Sequence, residues 1–216
     1  MRIIWGAAVA LLMLCSAVLA SATHYNPTQP GRNNMTTFGV TSMPYGYHDY
    51  CQRYRDRCAR GAGGTMIELT RPAWSDIVRI NAEVNSIPAF TDMEIYGVEE
   101  FWEYPTSAAD CEDYALLKRQ RLNEMGYPLG ALLLTTARDA KGGGHAVLTV
   151  VTSLGDFILD NLEQKVLLWS DAKIYFLKRQ SQRNLNQWVS LRTDEEFLIS
   201  SGNNHAPSTA ATSVNR

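Results

Sequence analysis

Six residues have the types and order that nucleophilic chemistry requires: Asp110-Cys111-Glu112-Asp113, then His145, then Asp160. A thiol opens a predicted helix, a histidine opens a predicted strand, and an acid closes the next strand. A Cys-His-Asp site needs such an order, because nucleophile, base and orienting acid are brought together by the fold and not by local sequence. The acids beside the thiol run against that chemistry. Unscreened, they raise the cysteine pKa and weaken the nucleophile. Each residue also has a plainer reading: a polar strand end for His145, a turn former before Asn161 for Asp160, a small buried apolar residue for Cys111.

The elements that must position these groups can be traced along the chain. Cys111 to Met125 reads as a helix with Asp110 as N-cap and Glu112 and Asp113 in the first turn, where the helix dipole favours negative charge. At ~100° per residue, Cys111, Tyr114, Ala115, Leu122 and Met125 share one face. Gly126, followed by Tyr127-Pro128, ends it. The thiol then lies at the helix start on the buried side. There the Cys111 backbone N–H is one oxyanion donor, with Asn85 or Trp102 as a second. Three strands follow, 131–137, 145–151 and 156–160, with further strands at 166–169 and 174–177. Upstream, 70–87 reads as a helix with Pro72 in its first turn, Trp74, Ile77, Val78 and Val84 at helical spacing, and Pro88 as its stop. The stretch 92–105 is aromatic-rich and irregular, its rings either core or the wall of a substrate groove. A helix-first half and a strand-rich half imply an α+β fold, a central helix packed on an antiparallel sheet.

Register decides whether His145 can meet Asp160. A two-residue turn at Leu154-Gly155 would pair Ser153 with Asp156 and leave His145 about 13 Å from Asp160 along the sheet, at ~3.4 Å per residue. A looser loop over 152–155 pairs Val151 with Asp156. Asp160 then faces Val147, with His145 as its diagonal neighbour, within side-chain reach. The second register is expected.

Length, charge and cysteines bound the rest. The chain has 216 residues, enough for one domain with a real core. Residues 1–22 read as a signal peptide: Arg2, an apolar run from Ile3 to Leu14, and a small-residue site at Ala20-Ser21-Ala22. A retained anchor is the alternative, although the run is short for a membrane span. Residues 23–69 read as an N-terminal extension, 70–198 as the catalytic domain and 199–216 as a disordered tail. Cleavage would remove Cys15 and leave Cys51, Cys58 and Cys111. Export implies an oxidising compartment, periplasmic or secreted, in which Cys51–Cys58 is the simple disulfide and Cys111 the odd, reactive thiol. Two reduced surface thiols are the alternative for the pair. Formal net charge is −2 and no basic stripe stands out, so nucleic acid is not an expected partner.

From Trp74 to Trp188 the sequence resembles the bacterial transglutaminase-like cysteine proteinases, the group containing the LapG-type periplasmic proteases. The resemblance rests on Tyr96-Gly97, on the string Asp-Cys-Glu-Asp-Tyr-Ala over 110–115, on Gly-His-Ala-Val-Leu over 144–148, and on Leu-Asp-Asn-Leu over 159–162. It implies a papain-like, transglutaminase-type core with Cys111 as nucleophile, His145 as general base and acid, and Asp160 as orienting acid. It further implies Ca2+ beside the nucleophile, held by Asp110, Glu112 and Asp113, although three acids are too few to fill a calcium shell. A cation there would offset the like-charge problem; otherwise these acids only cap the helix. The implied partners are a protein substrate, such as a surface adhesin, and a membrane-bound regulator. Other acyl transfer on the same triad and a non-catalytic calcium-dependent binding module are the competing functions.

Overall fold

The computed structural model describes residues 33–58 and 66–193. The expected signal peptide, Cys15 and the expected tail lie outside them. The described residues form four α-helices, α1 (Tyr45–Arg53), α2 (Arg71–Asn85), α3 (Asp92–Tyr96) and α4 (Cys111–Glu124). Among the described residues there are seven strands, β1 (Val40–Thr41), β2 (Leu132–Arg138), β3 (Gly144–Thr152), β4 (Gly155–Leu159), β5 (Leu167–Leu168), β6 (Tyr175–Gln180) and β7 (Trp188–Ser190). They form one antiparallel sheet in the order β1-β7-β6-β2-β3-β4-β5. The expected α+β class, a central helix on an antiparallel sheet, is the observed one.

Local chemistry accounts for the helix positions. Thr70 caps α2 by accepting the Ala73 N–H, with Pro72 in the first turn. Thr91 and Glu94 form a capping box that starts α3, a helix absent from the sequence reading, and Gly97 at φ 75° ends it. Asp110 and Asp113 form the capping box of α4. That helix does not have one buried face, as its pattern suggested: Tyr114 to Arg119 are all buried, whereas Met125 is exposed. The cause is its central place, with the sheet on one side through β2 and β3 and α2 on the other. Likewise Val78 of α2, expected inward, is exposed, and Ile80 and Asn81 are buried instead.

Residues 33–58, read from sequence as an extension, pack into the same core as the residues after 70. Tyr47 and Tyr50 are completely buried, and Tyr47 stands edge-on to Trp102 and Trp188 at 5.5 and 5.6 Å. Gln180 ties this helix to the sheet: its amide donates to the Tyr47 hydroxyl and the Leu185 carbonyl, and its oxygen accepts the Leu134 N–H. Cys51 and Cys58 form the expected disulfide, with Cα atoms 5.5 Å apart. On the opposite side of the sheet, buried Asp156 accepts from Asn34, from the Met35 N–H and from Arg179, so the segment at 33–35 is strapped across β4.

Gly46 sits where α1 passes the Trp102 ring, and a Cβ there would collide with that ring and with Glu100. In a free helix Gly→Ala stabilises. Here overpacking wins, and Gly46→Ala should cost about 1–3 kcal/mol in chemical denaturation; an unchanged or higher stability would contradict the tight fit.

Candidate active site

Asp110 caps the helix, so the Cys111 side chain projects from the first turn of α4 toward the β2–β3 end of the sheet. A cleft of about 340 Å³ opens there, lined by Cys111, His145, Ala146, Trp102, Thr136 and Ala137 with the acids Glu99, Glu100, Asp110 and Glu112. A register shift in the β2–β6 pairing falls between Thr136 and Ala137 in the cleft wall; such irregularities locally bend a strand and re-aim its side chains.

The β3–β4 hairpin has the expected register, Val151 opposite Asp156 and Leu148 opposite Leu159. The turn itself is tighter than expected: Thr152 still pairs with Gly155, leaving Ser153-Leu154 as a two-residue turn, and Gly155 takes φ 132°. His145 and Asp160 meet, with Nε2 to Oδ1 at 2.8 Å and both residues buried. Burial alone would raise the Asp160 carboxyl. The hydrogen bond and charge of His145, the Leu162 N–H and Lys118 together hold it below its ordinary value. With Nε2 engaged, Nδ1 is the ring nitrogen left for the cleft that Cys111 also lines.

Asn85 has a different task from the one expected. Its amide donates to the Asp160 backbone carbonyl at 2.8 Å, so it anchors the orienting acid from the end of α2. Trp102 lines the cleft, but its indole N–H is given to Glu100. The Cys111 N–H is taken by Asp110 Oδ1 at 2.7 Å and serves an oxyanion only once that carboxylate turns away.

This arrangement favours the thiol over the thiolate. It donates to Glu112 Oε2 at 3.1 Å. Burial first, then the charges of Glu112 and Asp110, push its pKa well up, against a lowering contribution from the Ala146 N–H one residue past His145. The acids are themselves strained electrostatically. Burial and the neighbouring Asp92 push Glu112 to about 9, and burial pushes Asp113 to about 7. Asp92 is raised as well, mainly by burial.

Of the three acids expected to hold a metal, Asp110 and Glu112 present oxygens within 4.8 Å of each other and of the Cys111 sulfur. Asp113 is turned elsewhere, accepting the Glu103 N–H at 2.8 Å and the Asp110 N–H. Asp92 lies beside Asp110 and Glu112. Its N–H donates to Asp110, one carboxyl oxygen accepts the Phe101 N–H, and the buried carboxyl faces that of Glu112, with which it shares a hydrogen bond. Nothing local in sequence marked Asp92, which lies 18 residues before Asp110. Closely set, poorly solvated carboxyl groups that retain protons for want of positive charge are oxygen donors an oxygen-seeking cation can use, so the donor set fits calcium.

The family model for the bacterial transglutaminase-like cysteine proteinases matches residues 37–196. The chain belongs to that family. It is a transglutaminase-like cysteine peptidase, and its substrate class is protein. Among solved structures, Legionella pneumophila LapG is similar at 25% identity over 62% of this chain and 77% of that one, with a TM-score of 0.48. Its calcium-bound form is similar at 24% identity over 62% and 82%, TM-score 0.48. The EGTA-treated form shows 26% over 56% and 68%, TM-score 0.47. No curated protein matches. Among the described residues, no helix of this peptidase is long and apolar enough to cross a membrane.

Once Glu112 ionises, above about pH 9, its charge and its hydrogen bond both favour the thiol over the thiolate, so Glu112→Gln should lower the Cys111 pKa. Iodoacetamide should then label Cys111 of the metal-free variant several-fold faster than the metal-free wild type at a pH above the Glu112 midpoint, and the difference should shrink toward pH 7, where Glu112 is neutral. Equal rates would show that Glu112 does not restrain the sulfur.

Proposed function

We propose that this protein is an exported peptidase, periplasmic or secreted, that hydrolyses a peptide bond in an envelope or surface protein through Cys111, His145 and Asp160. The observation that carries this reading is the buried 2.8 Å contact between His145 and Asp160 at the edge of the cleft that Cys111 lines. Export rests on the leading segment, 1–22. An adhesin as the substrate and a membrane-bound regulator rest on the family resemblance.

Asp160 holds the imidazole by Nε2, and Nδ1 takes the thiol proton as the sulfur attacks the amide carbonyl. The tetrahedral oxyanion needs donors, and the Cys111 N–H is available to it when Asp110 releases that group. Collapse breaks the C–N bond while His145 returns its proton to the leaving amine, giving an acyl-enzyme. Water, deprotonated by His145, then releases the acid and restores the thiol. Calcium would be held by Asp92, Asp110 and Glu112, with backbone carbonyls or water completing its shell. Bound there, it supplies positive charge to the carboxylates that in this structure hold the Cys111 N–H and thiol. Asp113 remains a cap.

Purified mature protein incubated with envelope proteins should generate new termini that a calcium chelator suppresses. Cys111→Ala should abolish them while changing stability by no more than about 1 kcal/mol. Cleavage by the alanine variant at the wild-type rate ends the reading. Adding a primary amine separates hydrolysis from transfer, because only transfer incorporates the amine. Calcium should also raise the thermal midpoint of wild type, by mass action on the folded state, and do so far less for Asp92→Asn. An equal rise in both would remove Asp92 from the site.

A further inference from the structure

A second concavity, of about 240 Å³, borders the triad on the side away from Cys111. Its floor is Ile158 of β4, which is buried. Leu167 of β5 pairs with Ile158 across the sheet, and Ala172 and Ile174, just before β6, pack on the same apolar cluster. Leu162 stands at the margin with 64% of its surface exposed. An apolar floor that opens beside an exposed apolar side chain is the build of a ligand pocket.

The hollow and the catalytic cleft share a border. Gly144 and His145 line the cleft, whereas Asp139, Ala140 and Asp160 line the hollow. Asp139 shapes the β2–β3 connection between them by accepting the Lys141 and Gly143 N–H groups. His145 and Asp160 are joined at 2.8 Å, so at the triad the partition is one imidazole and one carboxylate thick. The ring stands between the two spaces: Nδ1 is left for the cleft, and Nε2 is held by the acid that lines the hollow.

We propose that this hollow is a subsite for an apolar side chain of the substrate on the leaving-group side of the scissile bond. The inference rests on the proposed function and deepens it. Direction follows from the chemistry. The acyl half of the substrate stays on the Cys111 sulfur, and the amine half departs with a proton from His145. Chain beyond the cut therefore starts at the imidazole. Continuing away from the sulfur, it passes Asp160 and reaches the hollow. At ~3.4 Å per residue, an imidazole ring and one hydrogen bond are crossed in about two to three residues, so the occupant is the second or third residue after the cut. The rim carries charges of both signs, Glu163 and Asp171 with Lys165 and Lys173. No single charge is selected there, and the choice falls to the apolar floor.

The test is digestion of a denatured protein mixture by the wild-type protein in calcium, with new termini mapped by mass spectrometry and those also made by Cys111→Ala subtracted. Large apolar residues should be enriched at the second or third position after the cut. Two blocked peptides that differ only there, one with leucine and one with serine, should differ by about tenfold or more in kcat/KM. Ala172→Phe fills the hollow and should bring that ratio close to one. Leu162→Ser changes an exposed side chain on which the core does not depend, so it serves where Ala172→Phe fails to fold, and it should lower the ratio several-fold. Cys111-dependent cleavage without preference at either position, or a ratio that the folded variants leave unchanged, overturns the subsite and leaves the peptidase reading standing. Absence of Cys111-dependent cleavage ends the peptidase reading instead. The hollow is then judged by binding, from the amide NMR signals of Ala172 and Ile174 in Cys111→Ala protein titrated with each peptide. Shifts with the leucine peptide alone support an apolar subsite; equal or absent shifts overturn it.

Discussion

Four carboxyl groups crowd the start of one buried helix, and much of the site answers to that crowding. Asp92, Asp110, Glu112 and Asp113 lie where water screens them poorly, and their mutual repulsion adds to the cost of burial. The protein offsets part of this with backbone N–H groups: those of Phe101, Glu103, Asp92 and Cys111 all donate to the cluster. The remainder appears as protons retained on acids that are ordinarily ionised and on a thiol that is wanted as a thiolate. A divalent cation reverses each of these effects at once. Nucleophile strength and metal affinity are thus two aspects of one electrostatic arrangement.

The other half of the site is built on a different principle. His145 and Asp160 depend on a β-hairpin register, and a slip of one residue would send them to opposite faces of the sheet. Asn85 adds a grip on the Asp160 backbone from α2, so the acid is held by its side chain from β3 and by its main chain from a helix. Arg53 and Arg57, meanwhile, bind Glu103, and Arg53 lies 3.9 Å from the Phe101 ring centre. The loop bearing Trp102 is thereby fastened to α1, which makes the amino-terminal helix a support of the cleft wall.

Much of this was legible in the residues themselves. Asp110 before an apolar-periodic run marked the start of α4, and the pairing of Val151 with Asp156 followed from asking which register lets an acid reach a histidine. The Cys51–Cys58 bond followed from their spacing in a chain whose first residues read as an export signal. What escaped has a common physical character. Asp92, Asn85, Asp156 and Gln180 act through contacts with residues far away in sequence, and a polar residue with a distant partner looks like any surface residue until the fold is known. The strands β1 and β7 have two and three residues, too few to show an alternation. Lys118 was hidden by the assumption that one helix face meets solvent, which a helix between a sheet and another helix does not satisfy.

The hairpin has a consequence for how activity arises as the chain folds. Imidazole and carboxylate are 15 residues apart and joined by a tight reversal, so they can associate through local contacts. The sulfur joins them when α4 docks on β2 and β3, the two strands that follow it directly in the chain. Contacts at such short separation close with little loss of chain entropy, whereas β1 and β7 pair across most of the described chain. Nucleophile, base and orienting acid therefore sit on one continuous run of chain, and the outer strands serve to hold that run in shape.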